Sequence, residues 1–269
     1  VNVFRRPEHF PPHVDDIIAK NLQAKGGLEK MKAVQSIRQT SHLTAAMPSG
    51  PALEGTLIMY SRRSNLSRQE GKFATGQTMV TAFDGQTAWS INPLMGQSTP
   101  TVLSGPQADA AKEQADFDGP FVDYKAKGYT VELIGIEPAG DRKVYHLKVT
   151  SKDQRILHVY VDTVPSLESR VVSELPTPMG KWEMEQQLSD FRDVEGLKVP
   201  FLLRTLVNGA EQATLKVEKV EFNAKFDDSV FKMPKGEEKA QNQNPETAST
   251  LLASGFWLIC FFIAVLIYD

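Results

Sequence analysis

The sequence predicts a mainly β protein: one curved antiparallel sheet with a few short helices and a C-terminal apolar helix. Three observations carry that expectation. From Ser36 onward the hydrophobic period is two, as in Leu53, Gly55, Leu57 and Met59, which alternate with Glu54, Thr56 and Ile58. About ten such short runs follow one another at hairpin spacing, separated by turn residues such as Asp84-Gly85, Ala139-Gly140-Asp141, Lys152-Asp153, Glu195-Gly196 and Asn208-Gly209. No strand–helix–strand alternation runs through the chain, which argues against a doubly wound fold.

The elements follow in order. Residues 1–13 are Pro- and His-containing and aperiodic, an irregular lead-in. Asp15 to Ala24 is a helix: Val14, Ile17, Ile18 and Leu22 recur at helical spacing, and Asp15 and Asp16 suit its first turn. Gly26-Gly27 stops it, because glycine tolerates the left-handed cap conformation, and Leu28 to Ala33 forms a second short helix. Met79, Thr81 and Phe83 share one strand face, and Trp89 and Ile91 are read as continuing a face beyond the hairpin. Gln107 to Ala115 is an Ala-rich helix that interrupts the strands, broken by Phe117-Asp118-Gly119-Pro120-Phe121. It is placed to cover an open mouth of the sheet. Further strands are Val131–Ile136, Val144–Thr150, Ile156–Asp162, Ser169–Glu174, Trp182–Phe191, Phe201–Val207 and Thr214–Phe222.

Residues 235–250 are charged and then polar, a linker. Leu251 to Tyr268 is an uncharged run of 18 residues. As a helix it spans roughly 27 Å at 1.5 Å per residue, just short of a ~30 Å hydrocarbon core. Residues 251–268 are therefore a candidate transmembrane helix; the alternative is a tail packed on the domain.

Composition narrows the function. Of the net charge of −3, only Glu246 and Asp269 lie beyond residue 240, so the rest carries 30 − 31 = −1. A near-neutral body argues against a nucleic-acid partner. The only cysteine is Cys260, so there is no disulfide framework and no thiolate metal site. His9, His13, His42, His146 and His158 form no HExxH and have no Cys or carboxylate partner at metal-ligand spacing, so no metal or cofactor is expected. His146 and His158 alternate with apolar residues and should face solvent. No nucleophile elbow, P-loop or GxGxxG appears. Asp116 and Asp118 could be imagined as acid and base, but nearby acids in a Gly-Pro loop are usually solvated. The chain reads as a binding protein and not an enzyme.

The stronger signal is apolar. Leu57, Met59, Met79, Phe83, Trp89, Ile91, Trp182, Met184, Phe201 and Leu203 lie on strands, and Phe117 and Phe121 on the covering loop. Each alone is ordinary core; together they are the candidate lining of an apolar cavity, where flexible Met side chains suit irregular ligands.

Several segments resemble a known family. Val14-Asp-Asp-Ile-Ile-Ala-Lys-Asn-Leu-Gln-Ala-Lys-Gly-Gly-Leu-Glu-Lys-Met-Lys-Ala-Val-Gln-Ser-Ile-Arg, Ala82-Phe-Asp-Gly-Gln-Thr-Ala-Trp-Ser-Ile-Asn-Pro, the loop Gln114-Ala-Asp-Phe-Asp-Gly-Pro and the close Phe226-Asp-Asp-Ser-Val-Phe-Lys-Met-Pro234 are similar to the LolA-like outer-membrane lipoprotein-sorting superfamily. The resemblance covers roughly residues 14–234. It implies a half-open β-barrel closed by short helices, holding lipid or lipoprotein acyl chains, in a periplasmic domain of the bacterial cell envelope. It also implies a cover that moves, with Gly26-Gly27 and Gly119-Pro120 as places for the movement. A free shuttle would not carry a transmembrane tail. The second expectation is thus a membrane-tethered sensor or regulator that binds an envelope protein partner. A third, an enzyme, would show a polar cleft of converging ionisable side chains.

Overall fold

The structure is a computed structural model and describes residues 12–47, 50–177 and 180–234. The linker 235–250 and the candidate transmembrane helix 251–268 lie outside the described residues, as does most of the lead-in. Among the described residues no helix is long and apolar enough to cross a membrane.

Two helices open the domain, α1 (Val14–Ala24) and α2 (Leu28–Ala33). His13 caps α1 by accepting from the Asp15 amide, and Ile17, Ile18 and Asn21 face inward. The Gly26-Gly27 break is required sterically as well as conformationally. At Gly26 φ is +121°, and a Cβ there would sit 2.3 Å from the Gly196 carbonyl oxygen.

Thirteen antiparallel strands follow: β1 (Ser36–Ala45), β2 (Leu53–Arg62), β3 (Leu66–Phe73), β4 (Thr78–Phe83), β5 (Ala88–Asn92), β6 (Gln97–Val102), β7 (Thr130–Ala139), β8 (Arg142–Thr150), β9 (Ile156–Asp162), β10 (Glu168–Thr177), β11 (Gly180–Val194), β12 (Leu197–Val207) and β13 (Ala210–Phe222). A third helix, α3 (Gly105–Gln114), joins β6 to β7. The sheet order is β6-β5-β4-β3-β2-β1-β13-β12-β11-β10-β9-β8-β7. Two hairpin meanders therefore meet at the β1–β13 pair, and β6 and β7 are left as outer edges, so the sheet does not close. Register shifts at Thr40/Ser41, Leu133/Gly135, Glu168/Arg170 and Thr205/Leu206 add twist and bend the strands.

Strands β3 and β6 were not among the sequence runs. The inward positions of β3 are Ser67, Gln69, Gly71 and Phe73, too polar to read as a buried face. Strand β6 is a Ser/Thr/Pro edge with mostly half-exposed or exposed positions.

The two faces are covered differently. The inner face meets α1, α2 and the loop from Ala115 to Tyr129, burying Ile17, Ile18, Met31, Phe117, Phe121 and Val122 against the sheet. The outer face of β1–β5 is crossed by the chain after β13, which ends in a 3-10 turn at Asp228–Phe231. Arg62 and Arg68 donate to the Phe226 and Val230 carbonyls, and Trp89 Nε1 donates to the Phe231 carbonyl at 2.8 Å.

Candidate ligand-binding face

Strand pairing builds the inner face as continuous rows. One row is Leu188, Leu203, Leu215, Leu43, Gly55 and Phe73, running from β11 through β12, β13, β1 and β2 to β3. Another begins Leu133, Leu147, Val159 and Val171 on β7 to β10. Apart from Gly55, these side chains are buried or half-buried apolar groups of the main core.

The sequence-predicted lining residues divide between the faces. Leu57, Met59, Met79 and Leu203 lie together in the inner-face core, with Phe117 and Phe121 packed onto them from the cover and Phe201 half-buried at the margin. Met184 is buried, and pairs in register with Val207. Trp182, two residues earlier, is half-exposed. Phe83 lies under α3 with Ala88, Leu103, Ala110, Ala111 and Ala115. Trp89 and Ile91 are a correction: they belong to the outer face, with Val80 and Ala82. The hairpin pairs Phe83 with Ala88, so Trp89 opposes Ala82 and points away from Phe83.

The cover is fastened at its rim by charges. Arg63 donates to the Met31 and Val34 carbonyls of α2 and its end, and to Asp118 Oδ2 at 2.6 Å, with its guanidinium 4.9 Å from the Phe117 ring centre. Asp15 accepts from Tyr124 Oη at 2.5 Å and Lys125 Nζ at 2.9 Å. These hydrogen bonds hold the Asp15 carboxyl below its ordinary pKa, while burial and the facing carboxylate raise that of Tyr124. Lys32 pairs with Asp123 at 2.6 Å. Asp116 and Asp118, weighed as acid and base, each face a cation instead: Lys127 at 2.7 Å and Arg63. The partly buried Arg63–Asp118 and Lys127–Asp116 pairs contribute about 0–1 kcal/mol each. Full burial of a Leu, Ile, Phe or Met side chain contributes about 1.5–3 kcal/mol. Apolar contact therefore holds the cover down, and the ion pairs set its position.

A cleft opens where the cover meets β8 and β9, with Val149 and Leu157 as its floor and Gly119, Pro120, Tyr129, Ser151, Glu113, Asp116 and Arg155 around it. Its volume is about 30 Å³. Burial raises the Glu113 pKa against the opposing effect of Arg155, 2.6 Å away. Burial and the nearby Asp116 and Glu113 push Tyr129 up to about 12.

Other polar groups were missed from sequence. Lys25 and Glu168 form a buried ion pair at 3.2 Å between the end of α1 and β10. On the outer face, His146 Nδ1 contacts Glu137 Oε1 at 2.6 Å and its Nε2 contacts His158 Nδ1 at 2.7 Å. His146 also stacks on Tyr160, with ring centres 4.4 Å apart. The signal for that pair was available: a hairpin centred on Asp153 makes the two histidines diagonal neighbours on one face. Among the described residues no group of three or more His, Cys, Asp or Glu could hold a metal ion.

The chain shares this open, curved sheet of antiparallel strands with solved structures. The chain matches a LolA superfamily protein from Nitrosomonas europaea at 16% identity and a TM-score of 0.57, over 82% of this chain and 98% of that one. It matches a DUF1329 family protein from Desulfovibrio piger at 14% identity and a TM-score of 0.56, over 81% and 97%. No family model and no curated protein sequence matches the chain. The protein has the LolA-like fold.

Proposed function

We propose that the protein binds lipid or lipoprotein acyl chains against the inner face of its sheet, as a non-enzymatic component of the bacterial cell envelope. The observation that carries this reading is the apolar inner face roofed by short, separate elements whose rim is pinned by ion pairs. The cover lies directly on the sheet in this form, with Phe117, Phe121 and Val122 buried between them. A cleft of about 30 Å³ is far below the roughly 300–1,000 Å³ of a ligand pocket. An acyl chain must therefore take the place of the cover's own side chains.

The energetics suit a cargo that is also released. Lifting Ile17, Ile18, Met31, Phe117, Phe121 and Val122 away costs roughly 9–18 kcal/mol at 1.5–3 kcal/mol each. Burying a 16-carbon chain returns about 12 kcal/mol at ~0.8 kcal/mol per CH₂. The two nearly balance.

The test is titration of the full chain with an environment-sensitive apolar fluorophore. Saturable binding, strengthened in Asp118→Ala because the cover opens more readily, supports the proposal. Unsaturable or absent binding rejects it.

A second reading, a protein-binding sensor or regulator, rests on β7. This edge strand pairs only with β8 among the described residues and leaves Ile134 and Ile136 half-exposed. An unpaired apolar edge invites strand addition. Ile136→Lys should weaken a protein complex without altering fluorophore binding; an unaffected complex counts against this reading.

A further inference from the structure

On the β1–β5 half of the inner face, one row departs from the apolar pattern. Register places Gln39, Met59, Gln69, Thr81 and Ser90 side by side across β1 to β5. All of them are buried, Gln39 to 1% and Gln69 to 5% exposure. Gln114 of α3 comes down onto the row, accepting from Gln69 Nε2 at 2.9 Å, and Gln39 Nε2 donates to Ser41 Oγ at 3.0 Å. The remaining amide atoms, Gln39 Oε1, Gln69 Oε1 and Gln114 Nε2, have no hydrogen-bond partner among the described residues.

Leaving a buried polar atom unmade costs about 1–3 kcal/mol. Two on this row and a third above it on α3, among Leu57, Met59 and Met79, are more than packing alone requires. Whichever way the amides turn, they offer both donors and acceptors. No charged side chain belongs to the row.

We infer that this glutamine row is the polar subsite of the acyl-binding face, made for an uncharged ester, amide or hydroxyl group at the head of an acyl chain. The inference rests on the acyl-binding reading and adds the class of head group. A carbonyl accepts from Gln114 Nε2, and a hydroxyl or amide N–H donates to Gln69 or Gln39 Oε1. The row supplies no cation for a free carboxylate or a phosphate, and burying such a charge unpaired is strongly unfavourable. The subsite therefore selects neutral acyl esters and amides over fatty-acid anions.

The experiment uses the full chain with bound apolar fluorophore, displaced in turn by monolauroylglycerol and by laurate at a pH where laurate is ionised. Monolauroylglycerol should compete at least about tenfold better, equivalent to ~1.4 kcal/mol. In Gln69→Met/Gln114→Met that ratio should fall toward one. Gln39→Met, which leaves the α3 contact intact, is the second variant should the first not fold. Equal competition by the two lipids, or a ratio unchanged in a folded variant, overturns the subsite alone. Absence of fluorophore binding by the unaltered chain overturns the acyl-binding reading and the subsite with it. Equal competition with intact fluorophore binding would mean that the orphaned amides are met by buried water.

Discussion

Glu168→Gln should destabilise the protein more than its small chemical change suggests. The Lys25 and Glu168 side chains are 4% and 0% exposed, with Nζ and Oε1 3.2 Å apart. The neighbouring Asn21 uses its Nδ2 on the Ser166 carbonyl, 2.9 Å away. A glutamine keeps an acceptor for Lys25 but removes the negative partner of a buried ammonium. Breaking a buried pair on one side costs about 3–5 kcal/mol. The retained hydrogen bond places this variant at the lower end, about 3 kcal/mol. In a domain of this size each kcal/mol lowers Tm by roughly 2–4 °C, so the fall should be roughly 6–12 °C. Replacing both residues, Lys25→Met with Glu168→Leu, removes both charges and should recover stability to within about 1 kcal/mol of the parent or better. Thermal unfolding followed by circular dichroism near neutral pH reads all three. A single variant within about 2 °C of the parent, or a double variant no better than the single, would refute the reasoning.

Three further outcomes are expected. Gly26→Ala should cost at least about 1–3 kcal/mol, because an added Cβ meets the Gly196 carbonyl oxygen at 2.3 Å and φ is +121°; chemical denaturation checks this. Trp89→Phe should cost about 1 kcal/mol by losing the bond to the Phe231 carbonyl, and should speed proteolysis after β13. Burial and then the neighbouring His146 push His158 below its ordinary value of 6.5. The unfolded chain thus takes up that proton first on acidification. The contribution of His158 to stability is full above 6.5 and is lost as pH falls from there through the lower folded-state value. Glu137, Glu174 and Lys148 act on the same imidazole, Tyr160 stacks on the neighbouring His146, and the Arg170 guanidinium lies over the Tyr160 ring. His158→Asn should flatten the pH-stability curve in that window, and an unchanged curve would count against the lowered His158 pKa.

The parts of the fold that were legible in the sequence are those where local chemistry decides. Helix α1 has its acidic first turn and glycine stop, Leu147 and Val149 of β8 alternate with Lys148 and Thr150, and Ala213, Leu215 and Val217 of β13 alternate with Thr214 and Lys216. The hidden parts are those where long-range pairing decides. Strand β3 turns Ser67 and Gln69 inward because β2 and β4 flank it on both sides, and nothing local marks those residues as buried. The placing of Trp89 depended on one residue of hairpin register, which moves a whole strand face to the other side. Lys25 and Glu168 are 143 positions apart, and only the packing of α1 on β10 brings them together. On the candidate face, the large apolar residues could be picked out in advance. The glutamines that break the pattern could not, because a buried amide and a solvated one look alike until the row is assembled.

The central claim, that the inner face exchanges its own cover for acyl chains, is tested most directly by native mass spectrometry of the full chain purified gently from bacterial cells. The account predicts a fraction of molecules carrying one neutral acyl lipid, released on denaturation and displaced by added monolauroylglycerol. A bare mass throughout, together with no saturable uptake of any acyl lipid on reconstitution, would contradict it.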